Sequence, residues 1–338
     1  MTEKSDIIRV AVAQSSPVFL DRDGSLEKAV KLIGDAAAQG ALLVVFGEAW
    51  LPGYPVHAWS AAKSEPWWEL AAAYVDQAVD FQGETVDALC SAAMAADIDV
   101  VIGLAERDEK TRGSVYSTLA FIDRQGQVIS RHRKLRPSAY ERVVWSDGDA
   151  LGLEVHDRGY ANLSGLISCE HQMVLPTYAL AQHGTQLHAA CWPGHLRKPG
   201  NGASLWPDQH LLSRAFAAQT GAYVLCAGTT LSRDSVPEQY REFLTHEFTG
   251  GSAVIDPRGE VIAGPVEGEN LLLADCSMVQ VRAAKVAFDC AGHSARPDQL
   301  GLQNYAQGDP PQEQPPMDQP PGGFDQPYES DQQQPAAH

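Results

Sequence analysis

In residues 41–50, ALLVVFGEAW, the five apolar side chains of LLVVF are followed by Gly47 and Glu48. The apolar run predicts a buried strand, and a carboxylate beside it is costly to bury unless another group pairs with it. In layered α/β proteins, the carboxyl end of a strand usually faces a ligand crevice. Glu48 is therefore either the first candidate functional residue or a side chain that reaches solvent where the strand ends.

Strands and helices alternate on both sides of this run. Residues 7–13 predict a strand, and an amphipathic helix follows that Asp23 or Ser25 would cap and Gly40 would end. A second helix, from about residue 85 to residue 96, leads into a third strand, DVVIGLAE. This alternation favours an α/β layered fold.

Two later segments resemble each other. FIDRQGQVIS (121–130) and VIDPRGEVIAG (254–264) both consist of a strand, a polar turn with glycine and a second strand. Each predicts a β-hairpin. Their similarity suggests two related halves with a hairpin in each.

The composition changes near residue 299, so we expect a folded domain over 1–298 and a separate tail over 299–338. The tail is rich in Pro, Gln and Gly and has almost no apolar content to bury. From residue 298 to the end there are seven acidic residues and no Lys or Arg. Such a segment is expected to be a disordered, acidic, solvating tail.

Charge and composition exclude several classes of function. A formal net charge of −18 argues against a nucleic-acid or anionic-membrane partner, because both require a basic surface. No apolar run reaches the roughly 18 residues that span a bilayer, and the N-terminus lacks a signal-type segment. We therefore expect a cytoplasmic protein. The six cysteines are scattered and fit a reducing compartment, and no HExxH, Walker loop, GxGxxG or His/Cys cluster supports a metal or nucleotide cofactor.

Two further charged candidates look unremarkable on local pattern alone. Lys134 lies in the basic segment SRHRKLRP, which is typical of a solvated face. Glu141 is adjacent to Arg142, and such neighbours are usually a surface pair of little energetic value.

An apolar run over 163–167 is followed by Ser168, Cys169, Glu170 and His171. A nucleophile at a strand-to-helix turn is a recurrent arrangement, so either Ser168 or Cys169 is a candidate. The alternative is that Cys169 is a core thiol, the commonest fate of cysteine. A Cys169–His171 nucleophile–base pair is the less favoured interpretation.

Taken in order, these segments resemble the motifs of the nitrilase superfamily and, within it, of the nitrilase branch. The resemblance covers about residues 8–302, and Gly47 stands where many members have proline. Its motifs are VVFGEAWLPGYP (44–55), HRKLRPSAYERVVWSDGD (132–149), SCEHQMVLPTYALAQHGTQLHAACWPG (168–194), GGSAVIDPRGEVIAGP (250–265) and GHSARPDQLGL (292–302).

The resemblance implies a reaction and a set of roles. Glu48 would be the general base, Lys134 would stabilise the negative charge of the tetrahedral intermediate, and Glu141 would orient Lys134. The fold would be a four-layer α-β-β-α sandwich, and no cofactor would be needed. A nitrile would be hydrolysed to a carboxylic acid and ammonia through a covalent intermediate. The alternatives are an amidase or carbamoylase with the same residues and a catalytically silent, filament-forming homologue.

The family pattern is Cys-x-Glu followed by His or Asn, and here it places Ser168 at the nucleophile position. Both flanking motifs fit without gaps and give the same register, with Cys169 where Trp or another residue usually stands. The hypothesis is that the parent protein has Cys at position 168 and that this chain carries a Cys→Ser exchange. In the other register Cys169 attacks; a slip of one residue on a strand turns the side chain to the opposite face, so the two readings differ physically.

The resemblance also implies assembly and a substrate pocket. Such proteins pair through a helical face, and nitrilases often extend into spirals, so we expect a homodimer that builds a larger homo-oligomer. The side chains that either line the pocket or belong to the core are Trp50, Tyr54, Trp59, Trp192 and His195.

Overall fold

The computed structural model describes residues 6–60, 63–197 and 208–296. Over these ranges the chain forms two β-sheets that lie face to face, with helices against the outer face of each sheet. This is the four-layer α-β-β-α sandwich that the family resemblance implies. The predicted tail over 299–338 lies outside the described residues.

The strands contain long apolar runs because most are buried on both faces. In chain order they are β1 (Ile7–Gln14), β2 (Leu43–Phe46), β3 (Val79–Asp80), β4 (Asp99–Arg107), β5 (Val115–Ile122), β6 (Val128–Arg133), β7 (His156–Asp157), β8 (Asn162–Ile167), β9 (Leu187–Trp192), β10 (Leu196–Arg197), β11 (Tyr223–Gly228), β12 (Thr230–Leu231), β13 (Glu247–Ile255), β14 (Val261–Glu267) and β15 (Asn270–Ser277). The helices are α1 (Arg22–Ala38), α2 (Glu65–Gln77), α3 (Glu84–Ala96), α4 (Val174–Gln182), α5 (Gln209–Thr220) and α6 (Met278–Ala287).

The two sheets have related topologies. The first has the strand order β15–β1–β2–β4–β5–β6, with β3 paired to β4. The second has the order β10–β13–β11–β9–β8–β7, with β12 and β14 paired to β13. Parallel pairs at the centre, β1–β2–β4 and β8–β9–β11, bring the carboxyl ends of these strands to one edge of each sheet.

Three apolar cores fill the spaces between the layers. Side chains such as Val45 and Ile167 pack between the sheets. Ile33 and Leu89 fix α1 and α3 on the first sheet, and Phe216 fixes α5 on the second. Each fully buried side chain of this size contributes about 1.5–3 kcal/mol relative to exposure, so the sheets form a rigid frame for the residues at their ends.

Both predicted hairpins are confirmed, since β5 pairs with β6 and β13 with β14 in antiparallel register. The predicted cap of α1 is wrong. Asp21 caps the helix by accepting from the Gly24 amide at 2.9 Å. Ser25 lies buried inside the helix and donates to the Val18 carbonyl. The helix therefore starts earlier than the amphipathic pattern indicates.

No helix in the described parts of the chain is long and apolar enough to cross a membrane.

Candidate active site

Three sequence segments meet where three strands of the two sheets end. Glu48 follows β2, Lys134 follows β6, and Ser168 follows β8. The Glu48 amide donates to the Trp192 carbonyl at 3.0 Å, so this end of the first sheet is tied to the second. Residues 86 positions apart in the chain thus come together: Lys134 Nζ donates to Glu48 Oε1 at 2.7 Å.

Lys134 also donates to Glu141 Oε2 at 2.7 Å, and all three side chains are fully buried. The solvated-face interpretation of Lys134 and the surface-pair interpretation of Glu141 are therefore wrong. Successive side chains of the edge strand β6 point to opposite faces of the sheet. Arg131 and Arg133 pair with Glu106, whereas Lys134 points inward, and this explains why the solvated-face interpretation of Lys134 failed.

Charge sets the protonation of this cluster. Burial raises the pKa of Glu48 to about 7; Lys134 opposes the rise and Glu141 adds to it. Burial lowers the pKa of Lys134, but Glu141 and Glu48 outweigh it and the pKa is raised overall. Lys134 therefore stays charged, whereas Glu48 can gain and lose a proton near neutral pH. A general base works best with a pKa of this kind.

The two oxygens of Glu48 differ. Oε1 accepts from Lys134 and, at 3.1 Å, from the Ser117 hydroxyl. Oε2 is buried and has no hydrogen-bond partner among the described residues. An unpaired buried acceptor costs about 1–3 kcal/mol. This oxygen is the one available to take a proton from a bound reactant.

Glu141, in contrast, has its acceptors occupied. Besides Lys134, it accepts from the Ser138 amide at 2.7 Å and from the Tyr54 hydroxyl at 2.9 Å. A carboxylate bound in this way holds the ammonium of Lys134 in place. Its position fits the orienting role that the family resemblance implies.

Ser168 has a strained backbone. Its φ of 47° lies in the left-handed region that non-glycine residues rarely adopt, and only 1% of the residue is exposed. Ala49, directly after Glu48, has a φ of 45°. Strain of this kind is concentrated at functional sites, and here it occurs at both turns that carry candidate chemistry.

Cys169 is half-buried, and its Sγ lies 3.9 Å from the Arg136 carbonyl, two residues beyond Lys134. Burial raises the pKa of the thiol to about 12, although Lys134 opposes the rise. The thiol is therefore protonated near neutral pH. Only the thiolate is a strong nucleophile.

Glu170 joins the turn to the Lys134 segment, a role that sequence reasoning missed. It accepts from the Ile167 amide at 2.7 Å and from the Leu135 amide at 2.8 Å. It also pairs with His132 Nε2 at 2.9 Å. Burial raises the pKa of Glu170, but His132 and the two amides outweigh it and the pKa is lowered. The neighbours of Lys134 and Ser168 thus share one carboxylate.

The five predicted substrate-binding residues are not all brought together. The Tyr54 ring lies 5.4 Å from Trp59, centroid to centroid, beside Glu141. The rings of Trp50 and Trp192 pack in the two outer cores, against helices. His195 is exposed and stacks on His210. The pocket role of Trp50 and Trp192 therefore stays a prediction without a contact that supports it.

Gly47 permits the close approach of the sheets at Glu48. A Cβ at this position would lie 2.5 Å from Thr229 Cγ2 and 2.7 Å from the Trp192 carbonyl oxygen. Both distances are too short for real contacts, so a larger residue would push Glu48 away from the second sheet.

Within the described ranges, no group of three or more His, Cys, Asp or Glu side chains is arranged to hold a metal ion.

The chain is similar to several known proteins. The family model for carbon–nitrogen hydrolases matches residues 9–286. Nitrilase 2 from an unknown prokaryotic organism is 46% identical over 297 residues, which covers 86% of this chain and 90% of that protein. An aliphatic nitrilase from Rhodococcus rhodochrous is 33% identical over 313 residues, covering 89% of this chain and 84% of its own.

Solved structures show the same fold at lower identity. A carbon–nitrogen hydrolase from Helicobacter pylori G27 superimposes with a TM-score of 0.70 at 17% identity, covering 88% of this chain and 97% of its own. Nit3 of Saccharomyces cerevisiae, from the nitrilase superfamily, gives 0.66 at 22% identity, with 86% and 97% covered. With the family model matched from β1 to α6, this chain belongs to the carbon–nitrogen hydrolases of the nitrilase superfamily, enzymes that act on carbon–nitrogen bonds other than peptide bonds.

Proposed function

We propose that the chain is a nitrilase, which hydrolyses an organic nitrile to a carboxylic acid and ammonia through a covalent intermediate. The observation that carries this proposal is the buried Glu48–Lys134–Glu141 cluster, joined through Glu170 to the turn at Ser168. The choice of a nitrile as substrate is supported by the relatives named as nitrilases.

The cluster suits each step of such a reaction. The nucleophile at position 168 adds to the nitrile carbon, and Glu48 Oε2 takes its proton and passes it to the nitrile nitrogen. The ammonium of Lys134 stabilises the negative charge that develops, and burial strengthens this interaction. The product of this step is an imidate, or a thioimidate if the attacking atom is sulfur.

Two water molecules complete the cycle. The first adds to the imidate carbon, with Glu48 accepting its proton, and ammonia leaves as the carbonyl forms. The second releases the carboxylic acid and restores the nucleophile with its proton. Splitting the reaction in this way replaces one slow hydrolysis by easier covalent steps, and this chain's own residues supply each proton transfer.

We further propose that position 168, and not Cys169, is the nucleophile position, and that Ser168 replaces a cysteine there. The left-handed backbone of Ser168 at the end of β8 supports this assignment. The raised pKa of Cys169 counts against the alternative. If Cys169 attacks instead, it has to lose its proton against the effect of its own burial.

A substrate panel on the unsubstituted chain and on Ser168→Cys tests the proposal. Ammonia release from nitriles by Ser168→Cys supports a nitrilase. Release from an amide but not from the matching nitrile would favour the amidase or carbamoylase alternative. No turnover of either class by Ser168→Cys would favour a catalytically silent homologue and contradict the proposal.

The pKa of Glu48 predicts the pH dependence. The base acts only when deprotonated, so kcat/KM of the Ser168→Cys enzyme should fall tenfold per pH unit below about 7. The Ser117 hydroxyl lowers this pKa, so Ser117→Ala should move the acid limb to higher pH. The pH–rate profile checks both. A limb near pH 4–5, the range of an ordinary glutamate, would contradict the role of Glu48.

We propose that Tyr54 and Trp59 flank the substrate, since the Tyr54 hydroxyl binds Glu141 and Trp59 packs beside it. We propose for His195 only a place at the solvent-facing edge of the substrate pocket, because it is exposed. If Trp59→Ala left KM unchanged for every nitrile of the panel, the assignment of Trp59 would be wrong.

We also propose that the chain forms a homodimer, and from it a spiral, through the helical face of α4 and α5. This face exposes Val174, Leu175 and Leu211, with 77%, 66% and 64% of each residue accessible. Sedimentation should show an oligomer that Leu175→Asp and Leu211→Asp weaken. A monomer at micromolar concentration would contradict the proposal.

A further inference from the structure

A chain of buried polar groups leads away from the turn at Ser168. His171 Nδ1 lies 2.8 Å from the Ser168 carbonyl oxygen, and His171 Nε2 lies 3.1 Å from His188 Nε2. His188 Nδ1 lies 2.8 Å from Ser164 Oγ, which in turn is 2.6 Å from Thr185 Oγ1. These five residues are all buried, and the reaction steps above use only Ser168.

The hydrogen positions in this chain follow from elementary rules. A carbonyl oxygen has no proton to give, so His171 must carry its proton on Nδ1. A neutral imidazole has a single N–H, so His171 Nε2 is an acceptor, and His188 must donate from Nε2. His188 Nδ1 is then an acceptor for the Ser164 hydroxyl. Ser164 has then given its only proton to His188, so Thr185 donates its own proton to Ser164 at 2.6 Å and not to the Leu187 carbonyl, which lies 3.3 Å away.

Burial keeps both rings neutral, which this assignment requires. It lowers the pKa of His171 to about 4, and the bond to the Ser168 carbonyl only partly opposes this. It lowers the pKa of His188 as well, and the neighbouring His171 and His132 add to the effect. Packing fixes the ring planes, because His188 stacks on Phe216 at 3.7 Å and His171 stacks on Trp192 at 5.1 Å between centroids.

We propose that His171 and His188 form a relay of fixed tautomers that holds the Ser168 carbonyl and so keeps the nucleophile position in its left-handed conformation. Every hydrogen bond of the relay points the same way, from Thr185 through Ser164, His188 and His171 to the backbone of Ser168. His171 and His188 are thus positioning residues for position 168, and the proton transfers remain with Glu48.

The relay offsets the backbone strain at Ser168. A non-glycine residue at φ 47° persists only where surrounding contacts determine it. On one side Glu170 binds the amide of Ile167. On the other, His171 binds the carbonyl of Ser168 itself. Loss of the second contact frees the peptide after Ser168 to rotate, which moves the attacking atom relative to Glu48.

The tautomers can be measured without any catalytic assay. In the full chain with ¹⁵N-labelled histidine, NMR should show the His171 signal protonated on Nδ1 and the His188 signal protonated on Nε2. His171→Asn and His188→Phe would assign the two signals. Neither should titrate between about pH 5 and 9, where an ordinary His does. A His171 signal with its proton on Nε2, or a titration of either ring near pH 6.5, would overturn the relay.

Kinetics test the positioning role, which rests on the proposed function, in the Ser168→Cys background. His188→Phe keeps the stack on Phe216 but removes the donor, so kcat should fall roughly tenfold or more with KM unchanged. His171→Asn keeps an amide N–H for the Ser168 carbonyl, so it should retain most of kcat. When His171→Asn is already present, adding His188→Phe should lower kcat little, because the hydrogen bond between the two histidines has already been removed.

The outcomes separate this inference from the proposed function. If Ser168→Cys hydrolyses no nitrile while the NMR tautomers are as stated, the proposed function fails and the relay stands. If it is active but His188→Phe lowers only the folded fraction, with kcat per folded enzyme unchanged, the positioning role is wrong. Equal loss of kcat in His171→Asn and His171→Leu would also overturn it.

Discussion

Ser168→Cys is expected to raise kcat/KM for nitrile hydrolysis by roughly a hundredfold or more, since a thiol is far more easily activated than an alcohol. The proposed base, Glu48, is a carboxylate with a pKa of about 7. Such a base removes a proton from a thiol much more readily than from a serine hydroxyl. The new thiol would also lie on the turn after β8, whose conformation the bond from the Ile167 amide to Glu170 stabilises. Steady-state ammonia release measures the gain.

Two matched variants make this result specific. Ser168→Ala removes the attacking atom and sets the background rate. Cys169→Ser, made in the Ser168→Cys enzyme, should leave most of the gained activity, because that thiol is protonated and faces the Arg136 carbonyl. If Cys169→Ser abolished the activity of the unsubstituted chain, the attacking atom would be the sulfur of Cys169.

Lys134→Met should lose both activity and stability. It removes the only cation that touches Glu48 and Glu141 in the described part of the chain. We expect kcat/KM to fall by about 10²–10³, the usual effect of losing one charge-stabilising donor. Two carboxylates would face each other without a counter-ion, and breaking a buried pair costs about 3–5 kcal/mol. Denaturant titration measures the free energy of unfolding.

Arg136→Met is a suitable control in the same basic segment. Arg136 pairs with Asp147 at the surface, at 3.1 Å with more than half of each side chain accessible. Exposed pairs contribute little, so its stability should stay close to that of the parent. Adding Glu48→Gln to Lys134→Met should recover part of the lost stability, because it removes one of the facing charges. No recovery would show that the cost is not electrostatic.

Part of the fold could be predicted because several strands carry their own pattern. The run before Glu48 and both hairpins have strong local signals, and their structures follow them. Helix caps were less predictable, since Asp21, and not Asp23, accepts from the Gly24 amide.

Local pattern failed where burial depends on distant partners. Lys134 and Glu141 look like surface residues in their own segments, and only the meeting with Glu48 across the sheet makes them a buried cluster. The family resemblance identified Glu48, Lys134 and Glu141 together because the family motifs that contain them are far apart in sequence but belong to one site. In the sequence, Glu170 was used only to align this chain with the family pattern around Ser168. Its hydrogen bonds to the Leu135 and Ile167 amides depend on the fold and could not be predicted from the sequence.

Residue-level mass spectrometry after reaction with a nitrile that leaves a stable adduct is the most direct test of where the attacking atom lies. The Ser168→Cys protein should gain one adduct, and fragmentation of the peptide from the end of β8 should place it on the residue at position 168. The unsubstituted chain should gain none at Cys169 under the same conditions. An adduct on Cys169 in either protein would contradict the account.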